Sequence, residues 1–196
     1  YFPHSLGIFY QALTQFIGFP NYGDEYKVMG LAPYGQPVYL GPMRRIVLLQ
    51  PDGSFKLNLE CFRHHNQKVE YEWEGGTPTV GRIYAQGLVD LLGPARQPDE
   101  PLTQHHMDIA RSVQAMYEEA FFHLLNTLHA RHGLDALAIA GGCGMNSVAN
   151  GKVLLKTPFK RVYVQSAAGD AGGAIGAACS VWFEGERAGL PGSGRM

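Results

Sequence analysis

Charge is scarce in this sequence. Asp, Glu, Lys and Arg make up 17% of its 196 residues and nearly cancel, leaving a formal net charge of −1. Nothing in that balance draws the chain broadly to tRNA or to an anionic membrane, since both need a basic patch. Cysteine is scarcer still. Cys61, Cys143 and Cys179 are odd in number, far apart and in no Cys-x-x-Cys pair. That excludes a disulfide framework and a thiolate zinc site, and makes a reducing cytoplasm the expected location. No apolar run reaches spanning length, and no secretory leader pattern is read. What is present is a 45% apolar content, which with the modest charge is an ordinary soluble globular profile. The length suffices for one sizeable core or two small ones. The chain opens on Tyr1-Phe-Pro-His, in the middle of an apparent element, so an excerpt of a longer protein is expected.

The stretch Leu137–Asp170 organises the rest. Leu137-Ala-Ile-Ala140 runs into Gly141-Gly-Cys-Gly144 and then Met145-Asn-Ser-Val-Ala-Asn150, the grammar of strand, glycine turn and helix. A helix starting there aims free N–H groups and a positive dipole end at an anion or polar ligand. Val162-Tyr-Val164 and Ala167-Ala-Gly-Asp170-Ala-Gly-Gly-Ala174 repeat the plan, with an acid at the mouth of the last helix. Two such units side by side build one wall of a nucleotide site, whereas a lone glycine pair is ordinary tight packing. Parallel strands at 136–140 and 162–165, joined by a right-handed crossover, would bring both glycine loops to one cleft. Cys143 has no histidine base in its motif and reads as a small residue in a tight turn. No Ser-His-Asp or Cys-His set is found.

Upstream, Leu6, Phe9, Tyr10, Leu13, Phe16 and Ile17 recur at helical spacing between a start at His4 or Ser5 and a stop at Gly18. Asp24 and Glu25 stand where a short helix begins, and Pro33-Tyr-Gly35 closes it. A hairpin follows, Arg45–Leu49 and Ser54–Leu59 around Pro51-Asp-Gly53, expected to extend the parallel sheet along an antiparallel edge. Residues 60–80 read as a loop with His64 and His65 solvated, a poor metal pair because adjacent side chains point apart. A helix is expected over Arg82–Leu92 and a proline-rich linker over Ala95–Pro101. A long helix then runs from a Thr103 cap to about His132, without a full capping box. Its stripe of period 3.6 includes Ile109, Val113, Met116, Tyr117, Ala120, Phe121 and Leu125. His105, His106, His123, His129 and His132 are taken as surface residues. The last helix, Ala171 to about Glu184, carries Gly172, Gly173, Gly176 and three alanines, which implies close packing on a sheet.

Five motifs in order resemble one family: Pro3-His-Ser-Leu-Gly7, Gly23-Asp-Glu-Tyr-Lys-Val-Met-Gly-Leu-Ala-Pro-Tyr-Gly35, Asp108-Ile-Ala-Arg-Ser112, Ala140-Gly-Gly-Cys-Gly-Met-Asn-Ser-Val-Ala-Asn150 and Ala168-Gly-Asp-Ala-Gly-Gly-Ala-Ile-Gly-Ala177. They resemble the O-carbamoyltransferases of the nodulation-factor, cephamycin and tobramycin type, over nearly the whole chain. The resemblance implies a transfer domain with the actin/sugar-kinase/heat-shock ATPase fold. A second domain condenses carbamoyl phosphate with ATP to carbamoyl-adenylate. The transfer domain passes the carbamoyl group to the hydroxyl of a small molecule or sugar and releases AMP. A divalent metal, iron in the type enzymes, is held by a histidine pair and carboxylates.

By the same resemblance Asp170 matches the aspartate metal ligand, and Gly141, Gly142 and Asn146 match the nucleotide-contacting motif. Glu25 and Lys27 match a helix lining the nucleotide pocket, with Glu25 on the ribose hydroxyls. The family more often has Ala where this chain has Gly144. The family's His-x-x-x-His precedes the equivalent of Tyr1, and its adenylate-forming domain follows the equivalent of Met196. The expectation is therefore an α/β chain, the second lobe of the ATPase-like fold, with residues 1–186 a partial transfer domain and 187–196 a tail or linker. Alone it should be inactive. Two other readings compete. One is a nucleotide-binding module without chemistry; the other is a tRNA threonylcarbamoyl transferase relative, which the lack of a basic patch disfavours.

Overall fold

The computed structural model describes residues 1–73 and 75–187. The order of helices and strands is α1 (Leu6–Phe16), α2 (Glu25–Leu31), α3 (Leu40–Ile46), β1 (Val47–Leu49), β2 (Phe55–Leu57), β3 (Tyr71–Glu72), β4 (Thr79–Val80), α4 (Gln86–Leu92), α5 (Gln104–His132), β5 (Ala136–Ile139), α6 (Ser147–Asn150), α7 (Val153–Lys156), β6 (Arg161–Val164) and α8 (Gly172–Arg187). Short 3-10 turns lie at Ala32–Tyr34, Leu59–Cys61 and Gly142–Met145. This is a mixed α/β chain, as expected.

α1 begins where Ser5 caps it, its hydroxyl accepting from the Gly7 and Ile8 N–H groups. The apolar residues of its stripe are buried: Phe9, Leu13, Phe16 and Ile17 meet Ile109, Val113, Met116 and Tyr117 of α5 in one core. α5 ends at Gly133 in the left-handed conformation, φ 62°. At its start the structure corrects the sequence: Thr103 and His106 do close a capping box, the imidazole Nδ1 accepting from the Thr103 N–H at 3.0 Å. An imidazole can take the part usually given to Glu or Gln because Nδ1 is an acceptor in one tautomer.

The glycine at the end of the Gly23–Gly35 stretch has a packing reason. A Cβ on Gly35 would run into the Met107 carbonyl and stand 2.7 Å from the Asp108 N. Around that contact Asp108 accepts from the Gln36 N–H at 2.7 Å and from the Gln104 amide at 2.8 Å. These two donors hold its carboxyl below the usual range. The stretch is thereby fastened to the first turns of α5.

The hairpin forms with Val47 opposite Leu57 and Leu49 opposite Phe55. It starts at Val47 because α3 runs through Ile46. It does not extend the parallel pair: among the described residues the strands form three separate two-stranded sheets, β1–β2, β3–β4 and β5–β6. The expected loop over 60–80 contains the β3–β4 pair. His64 is half-buried rather than solvated, bonded through Nε2 to the Pro3 carbonyl at 2.8 Å, and His65 is half-buried beside it. The helix expected from Arg82 begins at Gln86, since Tyr84 is taken by a bridge to Phe62. His129 is half-buried against the Phe159 ring at 5.1 Å, whereas His132 is exposed.

β5 and β6 are parallel, with Ala136 opposite Arg161 and Ile139 opposite Val164. The helix expected directly after the glycine turn is broken into a 3-10 turn and two one-turn helices, α6 and α7. Glycines at 141, 142 and 144 favour turn over helix, and Gly151 with Thr157-Pro158 punctuates the rest. The larger correction concerns α8. Its glycines and alanines were expected to pack it on a sheet, yet Gly173, Ala174, Gly176, Ala177 and Ala178 are exposed, as are Ile175, Val181, Trp182 and Phe183. Among the described residues the sheet nearest in sequence has two strands, too narrow to cover a 16-residue helix. The expected tail lies outside the described residues, except for Arg187 at the end of α8.

Candidate functional site

The two glycine loops come together. The Gly141 N–H donates to the Ala168 carbonyl at 2.7 Å. A Cβ on Gly144 would lie 3.7 Å from that of Ala168, and one on Gly169 would lie 3.4 Å from the Met145 sulfur. The loop after β5 and the loop after β6 therefore form one continuous rim at the carboxyl ends of a parallel pair.

The glycines divide the work. Gly141 carries the unusual backbone, φ 99°, and only glycine adopts that at little cost. Gly142 has no positive φ, and a Cβ there would meet nothing within 4 Å. It is exposed at the start of the 3-10 turn, where the N–H groups of Gly142 and Cys143 precede any intrahelical acceptor. Gly144 is buried: a Cβ on it would stand 2.9 Å from Ile139 Cγ2.

α2 supplies the facing wall. Its first residue, Glu25, is half-buried without an ion-pair partner among the described residues, and burial, then the neighbouring Asp24 charge, push its carboxyl up. Its charge reaches three groups on three elements: the Tyr10 phenol of α1, the Tyr22 phenol and the Cys143 thiol in the glycine turn. Burial comes first in raising Tyr10 and Cys143; for Tyr22 the first cause is the charge of Asp170. Thus the charges of Glu25 and Asp170 both act on the Tyr22 phenol, and that of Glu25 also on the glycine turn, so the space beside Tyr22 draws on residues up to 148 positions apart in sequence (170 − 22).

Lys27 does not reach into that space. Its ammonium is held by Asp24 at 2.7 Å and lies over the Phe19 ring. Asp170 is exposed. Among the described residues no three His, Cys, Asp or Glu side chains gather as a metal set. One exposed carboxylate is too few for a divalent ion that takes four to eight ligands, so the residues of this chain do not by themselves fit a metal.

Asn146 is buried and fully engaged. Its Oδ1 accepts from the Ala149 N–H at 3.0 Å, capping α6, and from Gln114 Nε2 at 3.2 Å. Its Nδ2 donates to Gln114 Oε1 at 3.0 Å. The structure thus places Asn146 as the brace of the glycine turn. Its partners on α5 escaped the sequence reading. Gln114 and Glu118 are polar residues one turn apart, and Gln114 falls between Ala110 and Tyr117 on the buried face of the helix. A glutamine within an apolar stripe was the signal available. A separate hollow of about 220 Å³, lined by Leu128, His129, Leu134, Ala138 and Phe159 among others, contains none of the site residues.

The sequence matches the family described as Carbamoyltransferase N-terminus over residues 1–179. It is similar to the uncharacterised protein sll1178 of Synechocystis sp., 45% identical over 186 residues, covering 94% of this chain and 28% of the relative. It is 33% identical over 189 residues to nodulation protein NolO of Bradyrhizobium diazoefficiens, covering 92% of this chain and 29% of the relative. It is 36% identical over 181 residues to nodulation protein NolNO of Sinorhizobium fredii, covering 89% of this chain and 22% of the relative. The chain therefore spans less than a third of the length of these relatives. With its glycine rim, its Glu25 wall and a match running through both, the chain belongs to the carbamoyltransferase N-terminal family.

Proposed function

We propose that this chain is part of the transfer domain of an O-carbamoyltransferase, corresponding to the second lobe of the ATPase-like fold. Its site binds the adenylate part of carbamoyl-adenylate, made from ATP and carbamoyl phosphate elsewhere in the full-length protein. The carbamoyl group passes to the hydroxyl of a small molecule or sugar, and AMP leaves. The observation that supports this most is the joining of the two glycine loops, the Gly141 N–H donating to the Ala168 carbonyl at 2.7 Å, with the charges of Glu25 and Asp170 both acting on Tyr22 beside them.

In this reading Gly142 and Cys143 direct N–H groups at the phosphate, where negative charge grows as AMP departs. Glu25 accepts from the ribose hydroxyls. Asp170 gives one carboxylate to a divalent metal, iron by resemblance, whose histidine ligands lie outside this chain. Lys27, held by Asp24, serves the wall rather than the ligand.

Two substitutions in the full-length protein test the reading. Gly142→Val should abolish adenylate binding at the rim, measured by calorimetric titration with a non-hydrolysable adenylate analogue. Asp170→Ala should lose metal and most carbamoyl transfer at an unchanged melting temperature. Wild-type affinity in the first variant removes the nucleotide role of the rim; full metal occupancy in the second removes Asp170 as a ligand.

A further inference from the structure

The glycine turn is not self-supporting. From Gly141 to Lys156 its chain forms one 3-10 turn and two four-residue helices, too short to hold a shape alone. What fixes it is α5. Tyr117 donates its hydroxyl to the Cys143 carbonyl at 2.8 Å. Gln114 exchanges two hydrogen bonds with Asn146, and Glu118 receives the Lys152 ammonium at 2.6 Å.

These contacts form one directed chain. A carboxylate only accepts, so Glu118 must face the Nε2 side of Gln114, at 3.0 Å. The Gln114 Oε1 is thereby turned toward its two donors, the Asn146 amide at 3.0 Å and the Tyr10 hydroxyl at 2.9 Å. All four hydrogen-bonding positions of the Gln114 amide are used. On Asn146 the matching orientation is fixed independently by the Ala149 N–H. The charge of Glu118, anchored by Lys152, thus sets the direction of both bonds between Gln114 and Asn146.

We propose that Gln114 and Glu118 are positioning residues that hold the glycine turn in its ligand-receiving shape. The inference rests on the nucleotide reading of that turn. Neither residue needs to touch the ligand; together they fix Asn146 and Lys152 on either side of α6, and through them the N–H groups at Gly142 and Cys143.

The test uses the full-length protein and titration with a non-hydrolysable adenylate analogue, beside thermal melts. Gln114→Leu leaves Asn146 Nδ2 and the Tyr10 hydroxyl without their shared acceptor, and affinity in the folded protein should fall about tenfold or more. Gln114→Glu gives a sharper readout. The introduced carboxyl faces Glu118, with Tyr10 on the other side, Lys152 beyond Glu118, and the Glu25 charge reaching Tyr10. Ionised, it cannot donate to Glu118 or Asn146; protonated, it restores one donor. Its affinity should be about tenfold weak near pH 8 and recover severalfold toward pH 5.5, relative to the wild type at each pH. Glu118→Gln should fall between the two, because a neutral amide leaves the orientation of Gln114 unset.

A purely structural role would lower the melting temperature and leave affinity unchanged. Affinities within twofold of wild type for Gln114→Leu and Gln114→Glu, with binding lost in Gly142→Val, overturn this inference alone. Wild-type affinity in all three variants overturns the nucleotide reading and the inference with it. Should Gln114→Leu not fold, the pH profile of Gln114→Glu and the affinity of Glu118→Gln decide.

Discussion

The two ends of this chain treat their apolar residues in opposite ways. In the region built from α1, α2, α3 and the first two-thirds of α5, Phe9, Leu13, Val28, Met43, Ile46, Val113 and Met116 are completely covered. In the β6–α8 region, Tyr163 is 64% exposed, Val181 71% and Phe183 58%. The first region encloses its own core. The second lends loops to the site and packs Val162 and Val164 on the core but, among the described residues, leaves Tyr163 and the large apolar side chains of α8 uncovered. The rim of the site therefore takes its order from the first region, through Tyr117, Gln114 and Glu118.

Substitutions in the enclosed region should cost most. Phe9→Ala removes a fully buried ring and should lower stability by about 3–5 kcal/mol in urea unfolding. Gly35→Ala forces a methyl into the Met107 carbonyl and should cost about 3 kcal/mol, since backbone on both sides resists displacement. A loss of less than about 1 kcal/mol in either would mean that this region is looser than its packing indicates.

Within the rim, two neighbouring glycines should part company. Gly141→Ala should cost about 1–3 kcal/mol through its positive φ, whereas Gly142→Ala should change stability by less than about 0.5 kcal/mol. Equal losses in thermal melts would show that the turn has relaxed from this conformation.

Glu25 tests the wall. Its carboxyl is raised in the folded state, so the protonated form is the one the fold favours. Its contribution is present below the unfolded carboxylate range and is lost as pH rises through the folded value. Glu25→Gln should therefore raise the melting temperature at pH 7, with the gain vanishing toward about pH 4. A gain that instead grows on acidification would contradict the burial of this group. The smallest effect is expected at α8: Trp182→Ala should shift stability by less than about 0.5 kcal/mol in the isolated chain, because the ring is half exposed.

Much of the enclosed region is legible in sequence because its signals are local. Ser5 caps α1, Gly133 stops α5, and the Pro51-Asp-Gly53 turn sets the hairpin. The glycine rim is legible too, since the expected strands at 136–140 and 162–165 appear as a parallel pair within one residue or two. What escaped depends on partners distant in the chain. The positive φ falls on Gly141 rather than Gly142, a distinction no composition carries. The exposure of α8 depends on how many strands lie beside it, which its own small residues do not record. The bracing of Asn146 needs Gln114, 32 positions away. His106 as a capping partner needed a tautomer, not a residue type.

The fastening of Gly35 and Gln36 to the first turns of α5 has a consequence for how the cleft can change width. α5 carries one wall at Met107 and Asp108 and the opposite rim at Gln114, Tyr117 and Glu118. At a rise of about 1.5 Å per residue, those attachment points are only ~10–15 Å apart along a single rod. Both banks are riveted to the same girder, so a tilt of α5 carries them together and leaves the gauge between them unchanged.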